Sequence, residues 1–294
     1  MTIEVVETVA RVRQAVATAR RERPGIRVGL VPTMGALHAG HLALIQQCKN
    51  EAGFVVVSIF VNPTQFGPAE DFERYPRPFA EDLRLAESVA ANLVFAPQFE
   101  GMYPAGPEST FVEVPGLSDV LEGASRPGHF RGVATVVLKL FQLTWPDVAV
   151  FGAKDAQQLA LVRQMVTDLD LGVRIEAAPL HRDPDGMATS SRNRYLSAAE
   201  RESALALSRA LAAGAAAAAA GHPPAAVLAE SSAVLGAAAA ARPPVKVDYL
   251  ALVDPVSFAE VAPDHRGPAL LLVAATVGTT RLIDNASIAF GGGQ

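Results

Sequence analysis

Two histidines, His38 and His41, lie three residues apart in a turn between two apolar stretches of the chain. The turn runs Val31-Pro32-Thr33-Met34-Gly35-Ala36-Leu37-His38-Ala39-Gly40-His41. The apolar residues before it predict a buried strand at 26–31, and the apolar spacing over 42–48 predicts a helix. Such a strand-to-helix turn points backbone N–H groups and the positive end of the helix dipole to a position that favours phosphate. Histidine adds donors near neutral pH, so the turn indicates phosphate binding; a metal-ligand pair or two exposed polar side chains are the alternatives.

The elements around this turn alternate between strand and helix. Strands are predicted from apolar runs at 54–61, 93–96, 110–114, 148–151 and 173–177, and helices from periodic spacing at 8–23, 78–91, 130–143 and 157–169. This alternation predicts a Rossmann-like α/β domain over residues 1–180, with a doubly wound parallel sheet. Ligands bind beyond the carboxyl ends of the strands in such sheets. We therefore expect the turns at 32–41, 62–67 and 152–155 to lie at that edge.

The composition changes near residue 180. A polar, arginine-bearing loop at 187–195 precedes two alanine-rich helices, predicted at 197–220, with an interruption at Gly214, and at 225–241. Three further strands are predicted at 245–253, 269–277 and 281–290. Residues 181–294 are thus expected to form a second, smaller α+β domain, with residues 291–294 frayed.

Composition and charge exclude several classes of protein. A length of 294 residues favours about two domains, and a net charge of −5 argues against a nucleic-acid partner. The single cysteine, Cys48, falls on the apolar side of a predicted helix, so no disulfide framework is possible and a cytoplasmic location is expected. The N-terminus lacks the pattern of a secretion signal. The weakly hydrophobic run at 203–221 is mostly alanine, which predicts a helix outside the membrane.

Longer motifs connect the histidine turn to a known family. His38-Ala39-Gly40-His41 resembles the signature of the nucleotidylyltransferase superfamily that includes class I aminoacyl-tRNA synthetases, and the string at 32–41 resembles the pantothenate synthetase (pantoate–β-alanine ligase) family. Matching stretches follow in order at 58–66, 126–133, 151–159 and 189–196, with weaker similarity at 247–249 and 278–282. Five motifs in register make a chance match very improbable.

The resemblance implies a ligase that makes pantothenate, on the route to coenzyme A. ATP enters with Mg²⁺ as a substrate complex, and no tightly bound cofactor is expected. The pantoate carboxylate attacks the α-phosphorus, pyrophosphate leaves, and the β-alanine amine then displaces AMP from the pantoyl adenylate. The resemblance also implies a homodimer and a C-terminal domain that acts as a lid.

The resemblance assigns roles residue by residue. His38, His41 and Lys154 would act in catalysis on the triphosphate. The residues implied for ATP binding are Met34, Gly35, His38, Gly40, His41, Gly152, Lys154, Asp155, His181, Thr189, Ser190, Ser191 and Arg192. Those implied for pantoate and β-alanine are Asn62, Gln65, Tyr75, Arg126 and Gln158, where glutamines supply neutral donors and acceptors to hydroxyls and carboxylate.

Several of these residues have a plainer interpretation. The histidines could hydrogen-bond the loop, Lys154 could be a solvated lysine, and Asp155 could cap a helix. Tyr75, Arg126 and the neighbouring His129 could serve packing, and Ser190-Ser191-Arg192 could be an interdomain linker. Asp82 could help to hold Mg²⁺ with ATP, although we favour an interaction of Glu81 and Asp82 with the helix dipole.

The chain departs from the family at four positions, and two other functions compete with the ligase. Ala153, Ala156, His181 and Thr189 replace residue types that are usual there, and so affect the expected pocket wall. One rival is an adenylyl- or cytidylyltransferase with another acceptor; Gln65 and Gln158 argue against it, because a phosphorylated acceptor favours arginine. The other is a catalytically silent binding protein, which the two histidines and Lys154 argue against.

Overall fold

The computed structural model describes residues 3–68, 70–106 and 110–291. The chain divides into two compact units. The first comprises the residues up to Ala153 together with Gln157–Pro179, and the second comprises Lys154–Ala156 together with the residues from Leu180 onward. The short segment that contains Lys154 therefore groups with the second unit.

A parallel sheet forms the centre of the first unit. Its strands are β1 (Glu4–Val6), β2 (Val28–Thr33), β3 (Phe54–Ile59), β4 (Leu93–Phe95), β5 (Val148–Gly152) and β6 (Arg174–Ala178). They lie in the order β1-β4-β3-β2-β5-β6, and each neighbouring pair is parallel. This confirms the predicted Rossmann-like sheet. The edge strand β1 was not predicted, because three residues are too few to show a periodic pattern.

Helices connect these strands. They are α1 (Val9–Glu22), α2 (Ala39–Glu51), α3 (Phe79–Ser88), α4 (Phe99–Met102), α5 (Glu122–Ser125), α6 (His129–Thr144) and α7 (Ala156–Asp168). The longer ones match the predicted helices to within a few residues. Their apolar faces and the strands enclose a core that includes Leu37, Ile45 and Cys48. Burial raises the pKa of the Cys48 thiol to about 12, which confirms an unreactive core residue.

The strand order places the histidine turn at the centre of the sheet. β2 lies between β3 and β5, so the chain changes direction across the sheet at this strand. Its pairing with β3 runs from Val28↔Phe54 to Thr33↔Ile59, and it pairs with β5 at Gly29↔Val148. A crevice opens beyond the carboxyl ends of the strands at such a switch point. The turns after β2 and β3 therefore lie at the edge where ligands were expected.

The strand predicted at 110–114 is wrong. This segment is not paired with any strand within the described part of the chain. The backbone N–H of Val112 instead donates to Thr135 Oγ1 on α6, at 2.9 Å. A side chain thus takes the hydrogen bond that a neighbouring strand would otherwise accept.

The second unit is α+β, as predicted. Helices α8 (Ala198–Ala219) and α9 (Pro224–Ala238) accompany an antiparallel sheet of β7 (Val245–Val253), β8 (Gly267–Val277) and β9 (Thr280–Phe290), in the order β7-β8-β9. Its core includes Leu211, Val227 and Leu271. The weaker motifs at 247–249 and 278–282 meet in this sheet, where Arg281 on β9 pairs with Asp248 on β7 at 2.6 Å.

The predicted interruption of α8 at Gly214 is also wrong, since the helix runs through it without a break. A Cβ atom at Gly214 would lie 2.3 Å from Ser231 Oγ and 2.5 Å from Leu271 Cδ2. Glycine is therefore present because α9 and the sheet approach closely, and its lower helix propensity is tolerated.

Two further sequence predictions concern the chain ends and the membrane. Among the described residues, no helix is long and apolar enough to cross a membrane. The predicted fraying at 291–294 falls mostly on residues 292–294, which lie outside the described ranges.

Candidate active site

The histidine turn has a backbone conformation that its sequence makes possible. Gly35 adopts φ +78° and Ala36 adopts φ +49°, both in the left-handed region. Thr33 Oγ1 accepts a hydrogen bond from the Gly35 N–H at 3.1 Å and donates to the Ser58 carbonyl at 2.7 Å. Glycine lowers the cost of the reversal at position 35. The neighbouring strand thus fixes the start of the turn.

A buried carboxylate supports the same turn from below. Asp82, on α3, is 1% exposed. Its Oδ2 accepts from the Ala36 N–H at 2.9 Å, and its Oδ1 accepts from the Leu37 N–H at 2.7 Å. A Cβ atom at Gly35 would lie 2.9 Å from Asp82 Oδ2, so the carboxylate also requires glycine above it. The role of Asp82 in holding this turn was missed from the sequence, because its partners are 45 and 46 residues away.

The two histidines stack at the start of α2. Their ring centroids are 3.9 Å apart and their planes differ by 26°. His38 occupies the N-cap position, and its side chain makes no capping hydrogen bond to the helix. The first N–H groups of a helix lack intrahelical partners, and together with the dipole they attract an anion. The turn therefore places two imidazoles beside a helix end that is suited to phosphate.

Gln65 is held next to the turn by neutral hydrogen bonds. Its Nε2 donates to Met34 Sδ at 3.0 Å, and its Oε1 accepts from Asn62 Nδ2 at 3.1 Å. Asn62 Nδ2 also donates to the Gly132 carbonyl, while Asn62 Oδ1 accepts from Tyr103 Oη at 2.9 Å. The structure thus brings together Met34, Asn62 and Gln65. Asn62 thus holds the Gln65 amide, and a role of either residue in substrate binding stays a prediction.

Arg126 and His129 support Gln65 from the other side. Arg126 binds the Glu70 carboxylate through Nε at 2.9 Å and Nη2 at 2.5 Å, and Nη2 also donates to the Gln65 carbonyl. His129 Nδ1 lies 2.8 Å from the same carbonyl oxygen, and its Nε2 lies 3.1 Å from Arg126 Nη1. Glu70 and the Gln65 backbone thus engage the Arg126 guanidinium, and a contact of Arg126 with pantoate stays a prediction.

The tautomer of His129 follows from these contacts. Arginine can only donate, so Nε2 accepts from Arg126 and Nδ1–H donates to the Gln65 carbonyl. This describes a neutral imidazole. Burial and the nearby Arg126 charge lower the pKa of His129 to about 4, in agreement with that state.

Three further residues of the first unit complete this picture. Tyr75 is buried and packs edge-to-face on Phe66, with ring centroids 5.8 Å apart, so the structure favours its packing role.

Gln158 is half-buried in the first turn of α7. Its neighbour Gln157 was not predicted; its Nε2 donates to the Leu117 and Val120 carbonyls, each at 2.8 Å, and so holds the loop before α5.

Lys154 belongs to the second unit, with Asp155. The Lys154 side chain is 20% exposed, and its Nζ lies 3.9 Å from Asp155 Oδ1. The Lys154 carbonyl accepts a hydrogen bond from Asn285 Nδ2 on β9 at 2.8 Å. Gly152 ends β5 in the first unit, two residues before Lys154.

The loop from His181 to Asn193 is held by a connected set of hydrogen bonds. The buried Thr189 hydroxyl donates to Asp183 Oδ1 at 2.6 Å and therefore accepts from His181 Nδ1 at 2.8 Å. Arg201 binds both Asp183 and Asp185. Burial opposes ionisation of Asp183, yet the Arg201 and Thr189 hydrogen bonds lower its pKa. The Thr189 hydroxyl is thus used within the loop, and the role of Thr189 in ATP binding stays a prediction.

Ser190, Ser191 and Arg192 follow this loop in a short 3₁₀ turn. The turn spans Ser191–Tyr195, and Ser190 Oγ caps it by accepting from the Arg192 N–H at 3.3 Å. Ser191 is buried and Arg192 is half-buried. One short segment thus carries two hydroxyls and a guanidinium, side-chain types that suit phosphate oxygens.

A metal ion held by the two histidines would need further ligands from the protein. Across the described ranges, no group of three or more His, Cys, Asp or Glu side chains is placed to hold a metal ion. Mg²⁺ bound with nucleotide phosphates needs only one or two carboxylates. Asp82 lies against the histidine turn, but it is 1% exposed and both of its oxygens accept backbone N–H groups there. The structure thus shows it supporting the turn, and a contact with Mg²⁺ stays a prediction.

Comparisons with known proteins identify the family. The pantoate-beta-alanine ligase family model matches residues 4–287. The chain is 61% identical over 264 residues to the pantothenate synthetase of Thermobifida fusca, with 88% of each chain covered. It is 53% identical over 276 residues to that of Leifsonia xyli, with 94% of each covered.

Two solved structures agree. The crystal structure of pantothenate synthetase from Thermus thermophilus matches with a TM-score of 0.90 and 46% identity, covering 97% of this chain and 99% of that one. Pantoate-beta-alanine ligase from Francisella tularensis, complexed with beta-gamma ATP and beta-alanine, matches with a TM-score of 0.78 and 31% identity over 97% of both chains. The chain thus belongs to the pantoate–β-alanine ligase family, the pantothenate synthetases.

Proposed function

We propose that this chain condenses pantoate with β-alanine at the expense of ATP, through a pantoyl adenylate, and releases pyrophosphate and AMP. Its family membership supports this reaction, as does the relative from Francisella tularensis that is complexed with beta-gamma ATP and beta-alanine. The observation that carries the proposal is the stacked His38–His41 pair at the start of α2, whose N-cap residue makes no capping hydrogen bond through its side chain.

The first step is attack of the pantoate carboxylate on the α-phosphorus. The nucleophile is already an anion, so the protein must align it and stabilise the charge that develops on the phosphates. His38, His41 and the N–H groups of α2, including that of Gly40, are assigned to phosphate oxygens. His41 donates a hydrogen bond or proton as pyrophosphate leaves.

The second unit supplies further cations and donors. We assign the Lys154 ammonium to the departing phosphates, since a compact charge fits between oxygens where a guanidinium is too wide. Ser190, Ser191 and Arg192 are assigned to the same group of oxygens. Met34, Gly35, Gly152, Asp155 and His181 are assigned to contacts with the rest of ATP, which enters with Mg²⁺. The lid role of residues 181–294 stays a prediction.

Gln65 and Gln158 are assigned to pantoate. Their amides match hydroxyls and a carboxylate without adding charge, so the carboxylate keeps its nucleophilic character. Asn62 and Met34 hold the Gln65 amide, and Arg126 and His129 hold its backbone carbonyl. This supports the role, because a fixed amide loses less freedom when the substrate binds. In the second step the β-alanine amine attacks the adenylate carbonyl and AMP leaves.

A homodimer is proposed from the resemblance. A cytoplasmic location is proposed because the single cysteine, Cys48, is free and buried. Light scattering of the purified chain measures the mass directly. A mass of one chain at micromolar concentration would contradict the dimer.

The test of function is pyrophosphate release from MgATP with pantoate, without and then with β-alanine. We expect a pantoate-dependent burst, which becomes steady turnover with AMP when β-alanine is added. His41→Ala and Lys154→Ala should each abolish the burst. Lys49→Ala is the matched control, since Lys49 is exposed and donates to the Ala90 carbonyl.

The outcomes separate the possible errors. ATP binding without a pantoate-dependent burst would mean that the acceptor is another compound. Loss of ATP binding in the unaltered chain would contradict the assignment of the histidine turn. An unchanged burst in Lys154→Ala would contradict the role of the lysine alone.

A further inference from the structure

Asn285 lies in the middle of β9, and its side chain holds the main chain at Lys154. Its Nδ2 donates to the Lys154 carbonyl at 2.8 Å, across 131 residues of sequence. Asn285 is 8% exposed. The pair of β9 with β8 at Leu272↔Asn285 fixes its backbone. Strand β9 thus holds the main chain of Lys154, whose ammonium is assigned to phosphate.

The preceding residue on β9 holds a second segment. Asp284, which is 4% exposed, binds Arg182 in a fork, with Oδ2 to Nη1 at 2.7 Å and Oδ1 to Nη2 at 3.1 Å. Arg182 Nη1 also donates to the Gly186 carbonyl. The loop fixed in this way leads into Ser190. Asp284 and Asn285, adjacent on β9, therefore hold the two segments of the second unit that are assigned to phosphate, namely the one that carries Lys154 and the loop before Ser190.

We propose that Asn285 is a positioning residue for Lys154 in adenylate formation. The proposal rests on the proposed function, which gives Lys154 its task. Lysine has a flexible four-carbon stem, so where its ammonium can reach depends on where its backbone is held. Misplacement of a charged group by about 1 Å can cost on the order of 100-fold in rate.

Two variants isolate the donated hydrogen bond. Asn285→Ala removes it, and Asn285→Asp keeps the shape but places a carboxylate oxygen against the Lys154 carbonyl, because an ionised carboxylate only accepts. We expect the single-turnover rate of pyrophosphate release to fall about 10- to 100-fold, and more in Asn285→Asp. The KM for pantoate should stay unchanged, since Gln65 belongs to the other unit.

A matched control separates positioning from general destabilisation. Ser231 is fully buried in the same unit, where its Oγ donates to the Ala210 carbonyl. Ser231→Ala should lower the melting temperature as Asn285→Ala does, but leave the rate unchanged. If both variants lose rate in proportion to stability, the inference is overturned.

The decisive experiment is a double-mutant cycle on ATP affinity, which can be measured even where the burst is abolished. Asn285→Ala should reduce ATP affinity in the unaltered chain, but by less than about 2-fold in a Lys154→Ala background, because linked residues are not additive. If the losses from Asn285→Ala and Lys154→Ala multiply in the double variant, the inference is overturned. A loss in Lys154→Ala with none in Asn285→Ala or Asn285→Asp overturns it while leaving the proposed function intact. No loss in Lys154→Ala overturns the inference together with the role assigned to Lys154, while the ligase reaction itself is tested by the pantoate-dependent burst of the unaltered chain.

Discussion

Asp82 Oδ1 accepts a hydrogen bond of 2.7 Å from the backbone N–H of Leu37. The other oxygen of the carboxylate accepts from Ala36, whose φ of +49° is unfavourable for a residue with a side chain. Two charge-assisted hydrogen bonds thus offset local strain just before His38. The direction of α2, and with it the position of the histidine pair, depends on a carboxylate from another helix.

The first prediction concerns this carboxylate. Asp82→Ala leaves the Ala36 and Leu37 amides buried without an acceptor, which costs about 1–3 kcal/mol for each group. We expect the free energy of unfolding to fall by about 2–4 kcal/mol in urea titrations. The pantoate-dependent burst should fall about 10- to 100-fold, because the histidines lose their fixed direction.

Glu81→Gln is the matched control for Asp82. Glu81 lies in the same first turn of α3 and pairs with Arg84 on the surface. Its loss should change stability by less than about 1 kcal/mol. Equal losses in the two variants would mean that Asp82 acts through the helix dipole, as the sequence alone favoured, and not through the turn.

The sequence predicted the sheet because its central strands are buried on both faces. β3 and β5 are continuous apolar runs, which is typical of parallel strands. The two wrong predictions of secondary structure come from tertiary contacts. At 110–114 the Thr135 side chain accepts a hydrogen bond that a neighbouring strand would otherwise accept. At Gly214 the close approach of α9 explains a glycine that otherwise indicates a helix break.

The same limit applies to the site. His38, His41 and Gln65 lie in local motifs, so the sequence could place them at the strand ends. Asp82 holds the histidine turn and Asn285 holds the main chain at Lys154; both act across long separations and belong to no local pattern. A polar residue at a buried position of a strand or helix is the signal that could have found them, because buried polar groups need partners.

The second prediction is a pH dependence of stability from His129. The native pKa is about 4, against an ordinary value of 6.5, so between these values the unfolded chain binds a proton that the native state does not. Stability therefore falls as the pH drops from 6.5 to 4, by up to about 3 kcal/mol from this residue. Urea unfolding at several pH values measures the slope.

His129→Asn tests the assignment. Asparagine keeps an N–H donor for the Gln65 carbonyl but does not titrate in this range. The variant should show a flatter dependence of stability on pH between 6.5 and 4 than the unaltered chain. An identical slope in both would assign the pH dependence to other groups.

The third prediction concerns the contact between α6 and the turn that carries Gln65. A Cβ atom at Gly132 would lie 2.4 Å from the Thr64 carbonyl oxygen and 2.7 Å from Gln65 Cα. Gly132→Ala should therefore push this turn away, with a loss of about 1–3 kcal/mol in stability. We expect the KM for pantoate to rise several-fold while the KM for ATP changes little. Gly172→Ala is the control, since nothing lies within 4 Å of a Cβ there.

The fourth prediction tests the packing of α8 on α9. Gly214→Ala would place its Cβ 2.3 Å from Ser231 Oγ, so it should destabilise the second unit by about 1–3 kcal/mol despite the better helix propensity of alanine. Gly236→Ala, on α9, meets nothing within 4 Å and should stabilise by about 0.4–1 kcal/mol. Adding Ser231→Gly to Gly214→Ala removes the nearer clash, so it should recover part of the loss. No recovery would mean that Leu271, 2.5 Å from the same Cβ, limits the space instead.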